Sequence, residues 1–281
     1  MPASTQLESR FLIATLASVA FMVLYPIVLG TVVHRRLAVS WRYFGYGAAI
    51  FLLFQGVTRI PAVQLIELNF GPQLRSSGPL LWGWLVCLAL TAGLFEEVGR
   101  YLGYRVLLRR EARTWNKAIM FGLGHGGFES MVLTSGLMLL TVFNVQALLG
   151  GGLEQLPPEQ RAPAADQLAL IAAHPWLFPA LAAFERLWTV PIQVAFSVLV
   201  LQVFVRGSLS WLWLAIAAHT VVDLVAVALP QLLGQSSTTM LLTEAVAAGW
   251  GLIGLWVVWA LRDRTPQSAA ILPRIPSTAA A

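Results

Sequence analysis

Glu96 and Glu97 stand at the end of an apolar run, with Arg100 one helical turn further on. The residues before the pair, from Leu80 to Phe95, carry no charge. A carboxylate in such a place costs roughly 2.5–3.5 kcal/mol even on permissive insertion scales, and ionisable groups at membrane depth are functional candidates by default. Two further pairs have the same character. His125 and Glu129 are four residues apart, as are His219 and Asp223, and that spacing puts each pair on one face of a helix. A carboxylate and two imidazoles brought together support hydrolysis in two ways. They bind a divalent metal and lower the pKa of its water, with Glu96, His125 and His219 as the ligand set and zinc as the ion. Alternatively, a glutamate activates water directly, without a cofactor, while a histidine steadies the oxyanion. The sequence has no H-E-x-x-H signature, so both chemistries stay open.

The elements that must position these groups follow from composition. The chain has 281 residues, 58% hydrophobic and 11% charged, against about 25% charged in soluble domains. The fold class expected is all-α, a polytopic membrane protein. Segments long enough to cross a bilayer fall at 11–33, 43–60, 80–104, 117–140, 179–205, 210–229 and 241–261, which gives about seven transmembrane helices. The first is read as a retained span rather than a cleaved signal. Residues 1–261 then form one transmembrane domain, with the catalytic core at about 80–229 and a flexible cytoplasmic tail at 262–281. The segment GGGLEQLPPEQRAPAAD, 150–166, reads as an exposed polar loop. The single cysteine, Cys87, excludes an internal disulfide and a zinc–thiolate site. The net charge of +5 gives no case for nucleic acid, because the basic residues sit between apolar segments.

Their placement predicts orientation. Arg35, Arg36 and Arg42 follow the first span, Arg105 to Lys117 the third, Arg206 the fifth, and Arg262, Arg264 and Arg274 the seventh. The opposite ends carry only Arg10, Arg59, Arg75 and Arg161. The N-terminus is therefore expected outside and the C-terminus in the cytoplasm of a bacterial-type plasma membrane. At about 1.5 Å per residue, Glu96, Glu97, His125 and His219 all lie about 12–14 Å from the cytoplasmic ends of their helices. One level on three helices predicts one polar pocket, expected to open towards the cytoplasm. Gln193, deep in the fifth span, is a further candidate for it. Glu185 and Arg186 lie higher and read as an interfacial ion pair.

Glu96-Glu97-Val-Gly-Arg100, Phe121-Gly-Leu-Gly-His125 and His219-Thr-Val-Val-Asp223 resemble the three motifs of the CPBP superfamily, the intramembrane proteases related to the CAAX prenyl endopeptidase. The strings EEVGRY and HGGFE are most similar to its YhfC-like branch, described as intramembrane metalloproteases. The resemblance covers spans three to six. It implies that Glu96 activates water, that His125 assists, and that His219 and Asp223 form the oxyanion-side pair. It further implies that Glu97 and Arg100 support the glutamate, while Glu129 is a branch-specific addition without a counterpart in the three motifs. Two positions depart from the pattern. Arg100 comes one residue early, a turn of about 100° on the helix, and Asp223 replaces an asparagine.

The function expected is that of an intramembrane endopeptidase acting on a membrane-associated peptide or protein. A non-catalytic membrane subunit, whose pocket binds a partner helix or ligand, and a proton-coupled transporter are the alternatives. The absence of a visible internal repeat counts against transport.

Overall fold

A computed structural model describes residues 3–234 and 236–263. Most of the expected tail, 264–281, lies outside the described residues. Eight helices dominate the chain: α1 (Ala3–Leu37), α2 (Arg42–Leu74), α3 (Gly78–Leu107), α4 (Trp115–Leu149), α5 (Pro158–Ala173), α6 (Leu177–Arg206), α7 (Ser210–Leu233) and α8 (Ser237–Ala260). All except α5 are long and apolar enough to cross a membrane. The chain is an integral, multi-pass membrane protein.

Its surface is inverted relative to a soluble protein. Leu68 is 80% exposed and Phe143 67%, while Glu97, Arg100 and His125 are 0% exposed. Lipid accepts the apolar side chains without cost, so the interior is free for polar ones. Helix α6 sits at the centre. Its stretch from Ile192 to Val203 is buried on every face, the mark of a helix enclosed by neighbours.

Glycines set how close the other helices come. In α4, Gly122 and Gly126 face α6, where an added Cβ would lie 2.6 Å from the Val194 Cα and 2.7 Å from the Gln193 Cβ. Gly124 faces α2, against the Phe44 carbonyl, and Gly47 of α2 faces the Phe121 carbonyl in return. Helix α4 is thus pressed between α2 and α6, as small residues permit in membranes.

Two spans run longer than the sequence periodicity suggests, and each contains a π-helical stretch. Helix α2 continues from 60 to Leu74 through π-helical Leu52–Arg59, and α4 continues from 140 to Leu149 through Glu129–Thr134. Such widened turns are rare and occur frequently at functional sites. The expected exposed loop is also corrected. Most of it is α5, which begins at Pro158, where the missing N–H costs nothing. Ile171 of α5 packs with Phe11, Val142 and Val145, so this segment has an apolar attachment that its polar first half conceals.

A buried carboxylate and histidine centre

Helix α3 presents Glu96, Glu97 and Arg100 to the interior, and all three are buried. Arg100 bonds both carboxylates: its guanidinium donates to Glu97 Oε1 and, at 3.3 Å, to Glu96 Oε2. It also donates to Gln193 Oε1. The early position of Arg100 therefore costs no contact, because i,i+3 and i,i+4 neighbours are both within reach on a helix.

Each glutamate has its own histidine. His125 Nε2 lies 2.9 Å from Glu96 Oε2, and His219 Nδ1 lies 2.7 Å from Glu97 Oε1. Carboxylates only accept, so these two nitrogens carry the protons. His125 is fixed by the edge-on ring of Phe51 at 5.1 Å, and His219 is stacked on Phe196 at 4.6 Å. The second nitrogen of His219, Nε2, faces Glu96 Oε1 at 3.9 Å and Asp223 Oδ2 at 3.6 Å. Both gaps exceed a hydrogen bond. Asp223 is the most open member of the set, with its side chain 35% exposed.

Every residue singled out in the sequence lies at or next to this centre. Gln193 Nε2 donates to Glu96 Oε2 at 3.3 Å and to Glu129 Oε2 at 3.0 Å. Glu185 and Arg186 are not an isolated interfacial pair, because Arg186 is buried and donates to Glu129 Oε1 at 2.8 Å as well as to Glu185. Two residues of the centre are not among the site candidates of the sequence. Gln55 is 4% exposed and donates to Glu96 Oε1 at 2.5 Å. Arg59 holds the Gln55 amide oxygen at 3.2 Å. Both stand in the π-helical stretch of α2. An arginine one residue from the end of an apolar segment reads as a flank, and only the continuation of α2 places it inside.

The donor set fits a divalent metal, with one change from expectation. Ligand atoms of Glu96, Glu97 and His219 lie within 4.8 Å of one another. Two carboxylates and an imidazole are zinc-type donors, and Glu97 Oε2 is buried with no partner among the described residues. His125, expected as a ligand, is outside this group and is hydrogen-bonded to Glu96 Oε2 instead.

Two cavities reach the centre. One, about 380 Å³, lies among α2, α3 and α7 and is lined by Gln55, Arg59, Leu88, Glu96, His219 and Asp223. The other, about 350 Å³, lies among α6, α7 and α8 and is lined by Glu185, Arg186, His219, Asp223, Glu244 and Trp250. Both extend towards the ends at which α3, α6 and α8 begin, away from the arginine-rich connection between α3 and α4. The pocket expected to open at that basic end is closed there by Tyr104, Leu108 and Phe121, all fully buried. Tyr104 is locked further by a 3.1 Å bond to the Ser197 carbonyl.

The model of a family described as YhfC intramembrane metalloprotease matches residues 21–247. The chain belongs to the YhfC family. The buried polar groups of this centre fall within the matched residues. A relative from Bacillus subtilis (strain 168), the uncharacterized membrane protein YhfC, is 27% identical over 265 residues, covering 91% of this chain and 97% of its own length. No solved structure matches.

Proposed function

We propose that this YhfC protein is an intramembrane endopeptidase that hydrolyses a peptide bond of a membrane-associated substrate, with water activated at Glu96. The observation that carries this reading is the pair of roles given to one buried carboxylate. Its Oε2 is fixed by His125 and Gln193, its Oε1 faces His219 Nε2 at 3.9 Å, and the residue lines a cavity. In the reaction, Glu96 takes a proton from water as the hydroxide oxygen bonds to the scissile carbonyl carbon. His219, held by Glu97 at Nδ1 and facing Asp223 at Nε2, acts as the imidazolium and donates its Nε2 proton in a hydrogen bond to the developing oxyanion. Glu96 then delivers the proton to the amide nitrogen as the C–N bond breaks. Gln55 and Arg100 keep the carboxylate in place throughout. A divalent ion such as zinc, held by Glu96, Glu97 and His219, supplies Lewis-acid polarisation and a more acidic water when bound. The resemblance to the CPBP motifs implies the same roles for Glu96, His219 and Asp223.

The charge distribution supports an N-terminus outside and a C-terminus in the cytoplasm, and in that orientation both cavities lie in the outer half of the membrane. The substrate is then a peptide that enters that half, and the bilayer is the protein's solvent.

The test is cleavage of a peptide library by the detergent-solubilised protein. Loss of a general base removes about 10²–10⁴-fold in rate, so Glu96→Gln should abolish detectable cleavage and His125→Ala should lower it strongly. Both variants should stay abundant in membranes. Metal content measured on the same samples should fall in His219→Ala and persist in His125→Ala. Cleavage by Glu96→Gln at the wild-type rate would sink the proposal.

A further inference from the structure

The two cavities meet at His219, Asp223, Glu129 and Gln193 and then diverge on either side of α7. Their far walls carry two opposite charges, Glu244 and Arg59, that form no ion pair among the described residues. In the α6–α8 cavity, Glu244 Oε2 is buried with no hydrogen-bond partner among the described residues. Arg186, the arginine of that wall, is already occupied by Glu129 and Glu185. Trp250 lines the same cavity. In the α2–α3 cavity, Arg59 has the converse character. Its three hydrogen bonds go to the Thr91 hydroxyl, the Gln55 amide and the Leu88 carbonyl, all neutral groups. A carboxylate and a guanidinium inside membrane-spanning helices, neither held in an ion pair among the described residues, are costly to keep, even with Glu96 and Asp223 elsewhere in the lining of the Arg59 cavity. A ligand of matching charge removes the cost. Both spaces fall in the range of about 300–1,000 Å³ usual for binding pockets, and indole faces favour cations.

We infer that the cavities are two substrate subsites of opposite charge preference, one on each side of the scissile bond. This rests on the protease reading of the same centre. The α6–α8 cavity takes a lysine or arginine side chain against Glu244, and the α2–α3 cavity takes an acidic group against Arg59. The peptide lies across α7 with its reacting carbonyl between Glu96 and His219. Such a peptide must be unwound at that point, since a continuous helix cannot fill two diverging cavities. Its freed backbone groups find polar partners at the shared wall, as membrane depth requires.

The experiment has a binding arm and a cleavage arm, both on the full chain in detergent. In the first, thermal unfolding is followed with n-butylguanidinium against the uncharged n-butylurea. The cation should raise the midpoint in wild type and in Glu96→Gln, and should have no such effect in Glu244→Gln or Glu244→Ala. n-Butyrate against n-butyramide is the matching probe for Arg59→Met. In the second arm, peptide-library cleavage should show a basic residue preferred on one side of the cut and an acidic residue on the other. Glu244→Lys should reverse the first preference alone, and Arg59→Glu the second alone. Cleavage with no charge preference and no selective shift would overturn the subsites while leaving the protease reading standing. Selective shifts without cleavage of any peptide would uphold the charged cavities and overturn the protease reading.

Discussion

Glu96 is gripped on both oxygens, by Gln55 on one and by His125, Gln193 and Arg100 on the other. Buried charges persist where hydrogen bonds satisfy them, and the number of donors here explains why a carboxylate is tolerated inside a span. The Gln55 bond is the one nearest the reacting edge. Gln55→Leu removes a hydrogen bond to a charged group, worth about 1.5–3 kcal/mol, so kcat for peptide cleavage should fall roughly 10–100-fold with the protein still folded. An unchanged kcat would remove Gln55 from the centre. Of these groups, the charges were legible in the sequence because glutamate, arginine and histidine are conspicuous in apolar runs. Gln55 was not, since one uncharged amide in a span is equally well explained by helix packing. Nor was the share of Glu97 in the compact donor set, because helical spacing orders residues along one helix and says nothing of which oxygen a neighbouring helix reaches.

At the level of elements, seven spans were readable from hydropathy alone, and their starts and ends shift mainly where the backbone leaves regular helical periodicity. The π-helical stretches of α2 and α4 hold Gln55, Arg59 and Glu129, three groups that link the two cavities to the centre. No pattern of residue types marks such a stretch in this chain. Helix α5 was missed for a different reason. Its prolines stand at its first and sixth positions, and a proline-rich polar start resembles a loop until Ile171 is seen to be buried. The glycines of α4 offer the sharpest element-level prediction. Gly124→Ala drives a methyl group into the Phe44 carbonyl and should destabilise the protein by about 1–3 kcal/mol, the usual cost of overpacking. Gly136→Ala, on the same helix with open space around it, should be neutral or slightly stabilising, because alanine favours the helix. Thermal unfolding in detergent compares the two, and equal midpoints would contradict this packing.

For the whole molecule, the arrangement is a polar core inside an apolar shell, sealed at its basic end and hollow towards the other. The sequence reading had the common depth of Glu96, His125 and His219 but the wrong exit, because depth counted from one helix end does not reveal which end the side chains plug. Tyr104 and Phe121 plug it, and aromatic residues near span ends look the same whether they face lipid or the interior. The proposed orientation then makes a directional prediction. In a Cys87→Ala background, Thr243→Cys should react with a membrane-impermeant thiol reagent added to intact cells, and Arg105→Cys should react only in inverted vesicles. The reverse pattern would place the hollow side in the cytoplasm.

The facing glycines of α2 and α4 have a consequence for how this protein can change over generations. Gly47 meets the backbone of α4, and Gly124 meets the backbone of α2. When a bulky side chain intrudes on another side chain, trimming the neighbour restores the fit. Here the obstacle at each position is a carbonyl group, which every amino acid possesses, so no second substitution across that contact makes room. A selection for suppressors of Gly47→Val or Gly124→Val should therefore return chiefly true revertants and changes that stabilise the protein elsewhere. These two positions are points at which the lineage has no compensated path to a larger residue.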